Sequence, residues 1–171
     1  MGCEKQPAFM ARLLASTANR VLLFDREAAN SATLADQIKQ GNPAADIESS
    51  TCAQDNCWEA DIIIVSAEAA EHLEIANVIG EVSNNKTVIV LCGAHSDNAN
   101  VNVKSAEQLQ LLLPNSKVVR LFSPQLESDD AAGQQIFLSG QNEGALAEAT
   151  ELANTIGLHA TVVDKFSTIA A

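Results

Sequence analysis

Thr87-Val-Ile-Val-Leu-Cys92 carries no charge and no polar-apolar alternation. A strand with one wet face alternates, so an unbroken β-branched run belongs to a strand buried on both faces, inside a parallel sheet covered by helices above and below. Five more stretches read as its neighbours: Arg20-Val-Leu-Leu-Phe24, Asp61-Ile-Ile-Ile-Val65, Lys117-Val-Val-Arg-Leu-Phe122, Gln135-Ile-Phe-Leu138 and Ala160-Thr-Val-Val163. Between them the sequence predicts helices over 7–17, 31–39, 68–82, 105–113 and 143–156. In the last of these Leu146, Ala149, Leu152, Ala153 and Ile156 recur at helical steps and Gly157 follows as a stop. Ser105 with Gln108 reads as a helix start, and Pro114 lies beyond the same helix's apolar end. The alternation of strand and helix predicts an α/β fold of three layers, αβα, with a mostly parallel sheet and right-handed crossovers. No repeat, low-complexity tract or linker interrupts it, so one domain over 1–171 is expected. The first helix begins almost at residue 1, which leaves the opening strand of such a fold short or missing.

Length and composition bound the rest. The 171 residues are 47% apolar and 19% charged, the make-up of a globular chain that buries a core without disulfide or metal staples. Ten Lys and Arg against twenty-two Asp and Glu give a net charge of −12, which repels phosphate backbones and anionic membrane surfaces, so neither nucleic acid nor membrane is expected as a partner. No apolar run approaches the ~20 residues that span a bilayer, and no secretory signal opens the chain. A cytoplasmic protein is expected. Cys3, Cys52, Cys57 and Cys92 match neither a zinc pair nor a C-x-x-C, and the three histidines are scattered, so no metal site is expected.

In an open parallel sheet, ligands bind beyond the carboxyl ends of the strands. Those ends are Asp25-Arg26, Ser66-Ala67-Glu68, Cys92-Gly93-Ala94-His95 and Ser123-Pro124, together with the opening loop Gly2-Cys3-Glu4-Lys5-Gln6-Pro7. His95 is the one titratable side chain there suited to acid-base work near pH 7, and a solvated loop histidine is its plain alternative. Cys92 is read as packing and Trp58 as core or interface cover. Ser66 and Glu68 suit either a helix start or nucleotide contact.

Ala60-Asp-Ile-Ile-Ile-Val-Ser66, Lys86-Thr-Val-Ile-Val-Leu-Cys92, Leu113-Pro-Asn-Ser-Lys-Val-Val-Arg-Leu-Phe122 and Ile136-Phe-Leu-Ser-Gly140, in that order and spacing, resemble the nucleotide-binding domain of the deazaflavin-linked NADP oxidoreductases. A related resemblance extends to the prephenate dehydrogenases. It implies a Rossmann-like fold, NADP or NAD as cofactor, a small-molecule substrate, and a dinucleotide contacted by Gly2, Cys3, Glu4, Lys5, Asp25, Arg26, Ser66, Ala67, Glu68, Cys92, Gly93 and Ser123. Against the family's G-x-G-x-x-G, Gly2 takes the first glycine position, Glu4 the second and Pro7 the third, so a carboxylate stands where the diphosphate approaches. Lys5 offsets one charge. Asp25 falls where the fold places the acceptor for the adenosine ribose, which favours NAD, and Arg26 where a guanidinium holds the 2′-phosphate of NADP. Ser123 stands where the prephenate dehydrogenases carry a histidine, and the family's substrate and dimerisation helices have no counterpart. Two functions follow: an NAD(P)-binding oxidoreductase module that positions a nicotinamide for hydride transfer, or a degenerate, non-catalytic domain used for interaction or regulation. The abbreviated first strand predicts a homodimer or a borrowed strand.

Overall fold

A computed structural model describes residues 5–66, 71–92, 99–123 and 133–163. It opens with α1 (Lys5–Ala15), β1 (Val21–Leu23), α2 (Ala28–Gly41), β2 (Ile47–Ser49) and α3 (Ala53–Glu59). There follow β3 (Ile62–Val65), α4 (His72–Ile79), β4 (Thr87–Cys92), α5 (Ala99–Leu112), β5 (Lys117–Phe122), β6 (Gln135–Gly140), α6 (Glu143–Thr155) and β7 (His159–Val162). The strands form two sheets, a pair β1-β2 and a five-stranded sheet in the order β3-β4-β5-β6-β7. Every pairing is parallel except β5 with β6, where Phe122 lies opposite Phe137. The chain therefore turns back after β5, and β6 and β7 run opposite to the strands before them.

All six residues of β4 are buried, as the unbroken run requires. Ile89 and Leu91 point into one core with Met10 of α1, Val119 and Leu121 of β5, Ile136 and Leu138 of β6, and Ala145, Ala149 and Ala153 of α6. Val88, Val90 and Cys92 point into another with Cys57 of α3, Ile63 and Val65 of β3, Ala76 and Ile79 of α4, and Leu109 of α5. Alternate side chains of one strand thus serve opposite helical layers, and the αβα sandwich follows. A third, smaller core joins Ala11 and Ala15 of α1 to Val21, Ala35, Ile38 and Ile47. The alanine stripe on α6 lets that helix approach the sheet closely. Asn142 caps it by accepting from the Ala145 amide at 2.9 Å. Gly157 ends it at φ +82°, where Leu158 N–H donates to Ala153 O and Gly157 N–H to Asn154 O, the paired bonds of a Schellman stop.

Several expectations shift. No strand precedes α1 among the described residues. The segments β2 and α3 arise where the sequence pattern shows neither, since β2 carries one apolar residue and α3 spans seven positions without a side-chain cap. Tertiary bonds hold α3 instead: Ser50 donates to Asn56 Oδ1 at 2.6 Å, and Lys86 Nζ donates to the carbonyls of Cys57 and Trp58 at 2.7 and 2.6 Å. Trp58 is 71% exposed and not core. Helix α5 begins at Ala99, so Ser105 lies inside it and not at its start. At its far end Gln110 bonds Leu113 O, Ser116 O and the Val118 amide, each at 3.0 Å, fixing the turn into β5.

Candidate functional site

Strands β1, β3, β4 and β5 finish on one side of the molecule. The carboxyl ends of these four strands bring Asp25 and Arg26, Ser66, Cys92 and Ser123 to one rim. Helix α1 leads back to the start of β1, so its amino end, at Lys5, belongs to that same rim. Gly2, Cys3, Glu4, Ala67, Glu68, Gly93 and His95 lie outside the described residues.

Asp25 lies two residues beyond β1, after Phe24. Its Oδ1 accepts from the Glu27 amide at 2.8 Å and from Asn30 Nδ2 at 3.3 Å, which shapes the turn into α2. Its Oδ2 carries no bond among the described residues, leaving an acceptor on the rim. Arg26 is engaged elsewhere: Nη1 donates to Glu71 at 2.8 Å and Nη2 to Glu74 at 2.7 Å. One guanidinium is thus shared by two carboxylates at the start of α4, and a phosphate approaching it meets both. The two acidic partners lie 45 and 48 residues away in sequence, and no local spacing announces them.

Further along the rim, Cys92 is buried, and burial pushes its thiol up to about 11, against a smaller downward pull from Arg120. A thiol held neutral at physiological pH is not a nucleophile, so packing is its role. Ser123 is buried beside it in the chain order of the rim, at 1% exposure. Arg120 is the polar residue that the sequence reading passed over. It sits in the middle of β5, opposite Val90 and Ser139, and is 3% exposed. Its pKa is lowered by burial, with Cys92 and Glu107 acting the other way. An Arg set between Val119 and Leu121, in the apolar part of β5, was the signal available.

Two concavities among the described residues lie away from the rim. One of about 800 Å³ runs along the outer face of α6 beside β7, lined by Leu146, Thr150, Glu151 and Val162. Another, of about 550 Å³, lies at the opposite end of the sheet between Asn84, Asn85, Pro114 and Asn142. Neither gathers titratable groups suited to catalysis. No three His, Cys, Asp or Glu residues converge as a metal site among the described residues, and no described helix is long and apolar enough to cross a membrane.

This arrangement is the Rossmann-like class of α/β domain. No family model and no curated protein matches the sequence. Solved structures do: a candidate F420-dependent NADP reductase from Arthrobacter sp. FB24, at TM-score 0.67 and 18% identity, covers 92% of this chain and 80% of its own. The imine reductase of Bacillus cereus reaches TM-score 0.72 at 13% identity over 96% of this chain and 53% of its own. The N-terminal domain of HmdIII from Methanocaldococcus jannaschii aligns at TM-score 0.67 and 16% identity over 92% and 83%. At these identities the likeness is one of fold.

Proposed function

We propose that the chain is an NAD(P)-binding oxidoreductase module, a single domain over 1–171, whose carboxyl rim holds a dinucleotide. The observation that supports the reading is the gathering of four parallel strand ends with a carboxylate, Asp25, two residues beyond β1. Asp25 Oδ2 suits a ribose hydroxyl, and the amino end of α1 offers backbone N–H groups to a diphosphate, Pro7 excepted. The residues fit NAD better than NADP. Arg26, the one guanidinium near Asp25, is already shared by Glu71 and Glu74, so a 2′-phosphate there displaces an existing ion pair and faces three carboxylates. When bound, the nicotinamide supplies the hydride chemistry, and the protein's part is to bind and orient it against a small-molecule substrate.

Calorimetric and thermal-shift titration with NAD and NADP tests this. NAD should raise the melting temperature at millimolar concentration, NADP less so, and Asp25→Ala should remove the difference. No response to either cofactor overturns the reading. The second reading, a non-catalytic interaction domain, is supported by the division of the sheet in two.

A further inference from the structure

Strand β7 closes the larger sheet, and no described strand pairs with its outer edge. His159 N–H donates to Gln134 O at 2.9 Å and Val163 N–H to Leu138 O at 2.8 Å. His159, Thr161 and Val163 therefore address β6, and Ala160 and Val162 send their N–H and C=O groups outward, as parallel ladders alternate. The strand His-Ala-Thr-Val carries neither the proline nor the lysine that commonly guards an edge. Val162 is 50% exposed. Its side chain lies on the α6 side of the sheet, because Ala160, two positions earlier, packs on the core that α6 shares.

Beside that edge runs the groove of about 800 Å³ along α6. One stripe of the helix walls it: Glu143, Leu146, Ala147, Thr150 and Glu151, at steps of three and four that place them on a single face. Leu146, Ala147 and Val162 make its middle apolar. The Thr150 hydroxyl is turned to its own helix, donating to Leu146 O at 2.7 Å. Carboxylates stand toward either end. Glu143 and Glu151 are exposed, neither α6 nor β7 contains a lysine or arginine, and no described cation pairs with either glutamate. Eight helical positions separate the two by about 12 Å along the axis, a distance an extended chain covers in about four residues.

We propose that this border docks an extended segment of a partner protein, which adds a strand to β7 and presents the pattern basic-x-apolar-x-basic to the groove. Main-chain bonds to Ala160 and Val162 hold the added strand, and side chains at alternate positions supply the selectivity. A residue opposite Val162 turns its side chain to the α6 side, as neighbours across a ladder do. That apolar residue covers Leu146, Ala147 and Val162, and the basic residues two positions to either side come level with Glu143 and Glu151. An unpaired acidic wall selects a cationic partner. A second copy of the chain fits poorly: pairing β7 with itself brings the glutamates of two α6 helices together, and the net charge of −12 adds to the repulsion. The groove lies across the sheet from Asp25, so the proposal does not depend on the cofactor reading.

Three fluorescein-labelled peptides test it against the full chain by anisotropy: Ser-Lys-Val-Leu-Val-Lys-Ser, the same peptide with both lysines replaced by glutamate, and one of the first peptide's composition with its lysines adjacent. The first should bind saturably and the other two at least about tenfold more weakly. Replacing both exposed glutamates, Glu143→Gln with Glu151→Gln, should weaken the first by about fivefold. Amide exchange followed by NMR should slow at least about tenfold at Ala160 and Val162 when the first peptide is added, and stay unchanged at Thr161, which already bonds to β6. No binding up to millimolar peptide overturns the proposal. So does equal binding of the peptide with adjacent lysines, which marks a general attraction of cations to an acidic surface. Binding that leaves the Ala160 and Val162 amides unprotected rejects strand addition. Protection of those amides before any peptide is added assigns the edge to the chain's own residues in a monomer, or to a second copy in a dimer, and either result overturns the proposal.

Discussion

Strands β4 and β1 are built from the same kinds of residue and meet different fates. Val-Ile-Val-Leu in β4 is buried throughout, whereas in Val-Leu-Leu of β1 only Val21 is. Strand β3, with a partner on one side, alternates between buried and half-buried. Composition does not separate these three; β4 is paired on both sides and β1 and β3 on one side among the described residues, though β6, also paired on both sides, buries only Ile136 and Leu138. Burial in a layered sheet is conferred by the strand alongside as much as by the helix above.

That contrast is open to measurement. Ile89→Ala, at the centre of the larger sheet and 1% exposed, should cost about 2–5 kcal/mol in urea denaturation, and Leu22→Ala at the edge of β1 no more than about 1 kcal/mol. Equal losses would erase the distinction between centre and edge. Cys92 sharpens it through pH. Its thiol is raised in the folded chain from an ordinary value of 9.0 to about 11, so the unfolded chain ionises first. Stability is whole below pH 9 and falls as the pH rises toward 11, by roughly 2 kcal/mol. Cys92→Ala should flatten that decline, measured against the parent protein over the same range. Asn142→Ala, which removes the cap of α6 without touching either sheet, should cost about 1 kcal/mol. The smallest effect is expected at Arg26→Ala. Its ion pairs are exposed, so stability should change by less than about 1 kcal/mol, while any preference for NAD over NADP should persist because Asp25 remains.

Strands β3, β4, β5 and β6 were legible because each is a compact apolar run, whereas β7, read from its run Ala160-Thr-Val-Val163, proves exposed or half-buried throughout. Helix α6 was legible for a similar reason: its alanine and leucine stripe, Asn142 and Gly157 are all local. Strand β2 and helix α3 were not. Ile47 is a single apolar residue in a polar stretch, and α3 depends on Lys86 and Ser50 reaching its end and side. The rim divides the same way. The position of Asp25 and Arg26 after a strand could be read directly, but the commitment of Arg26 to Glu71 and Glu74 depends on how β1 comes to lie beside β3. That β1 pairs with β2 and β3 with β4, leaving two sheets among the described residues, could be read only from the structure.

The reversal between β5 and β6 has an architectural consequence. Because Phe122 faces Phe137 in an antiparallel pair and β7 follows the heading of β6, Val163 leaves from the floor of the molecule, opposite the rim that carries Asp25 and Ser66. A label on Val162, 50% exposed near the end of β7, would sit beneath the sheet and leave the upper surface clear.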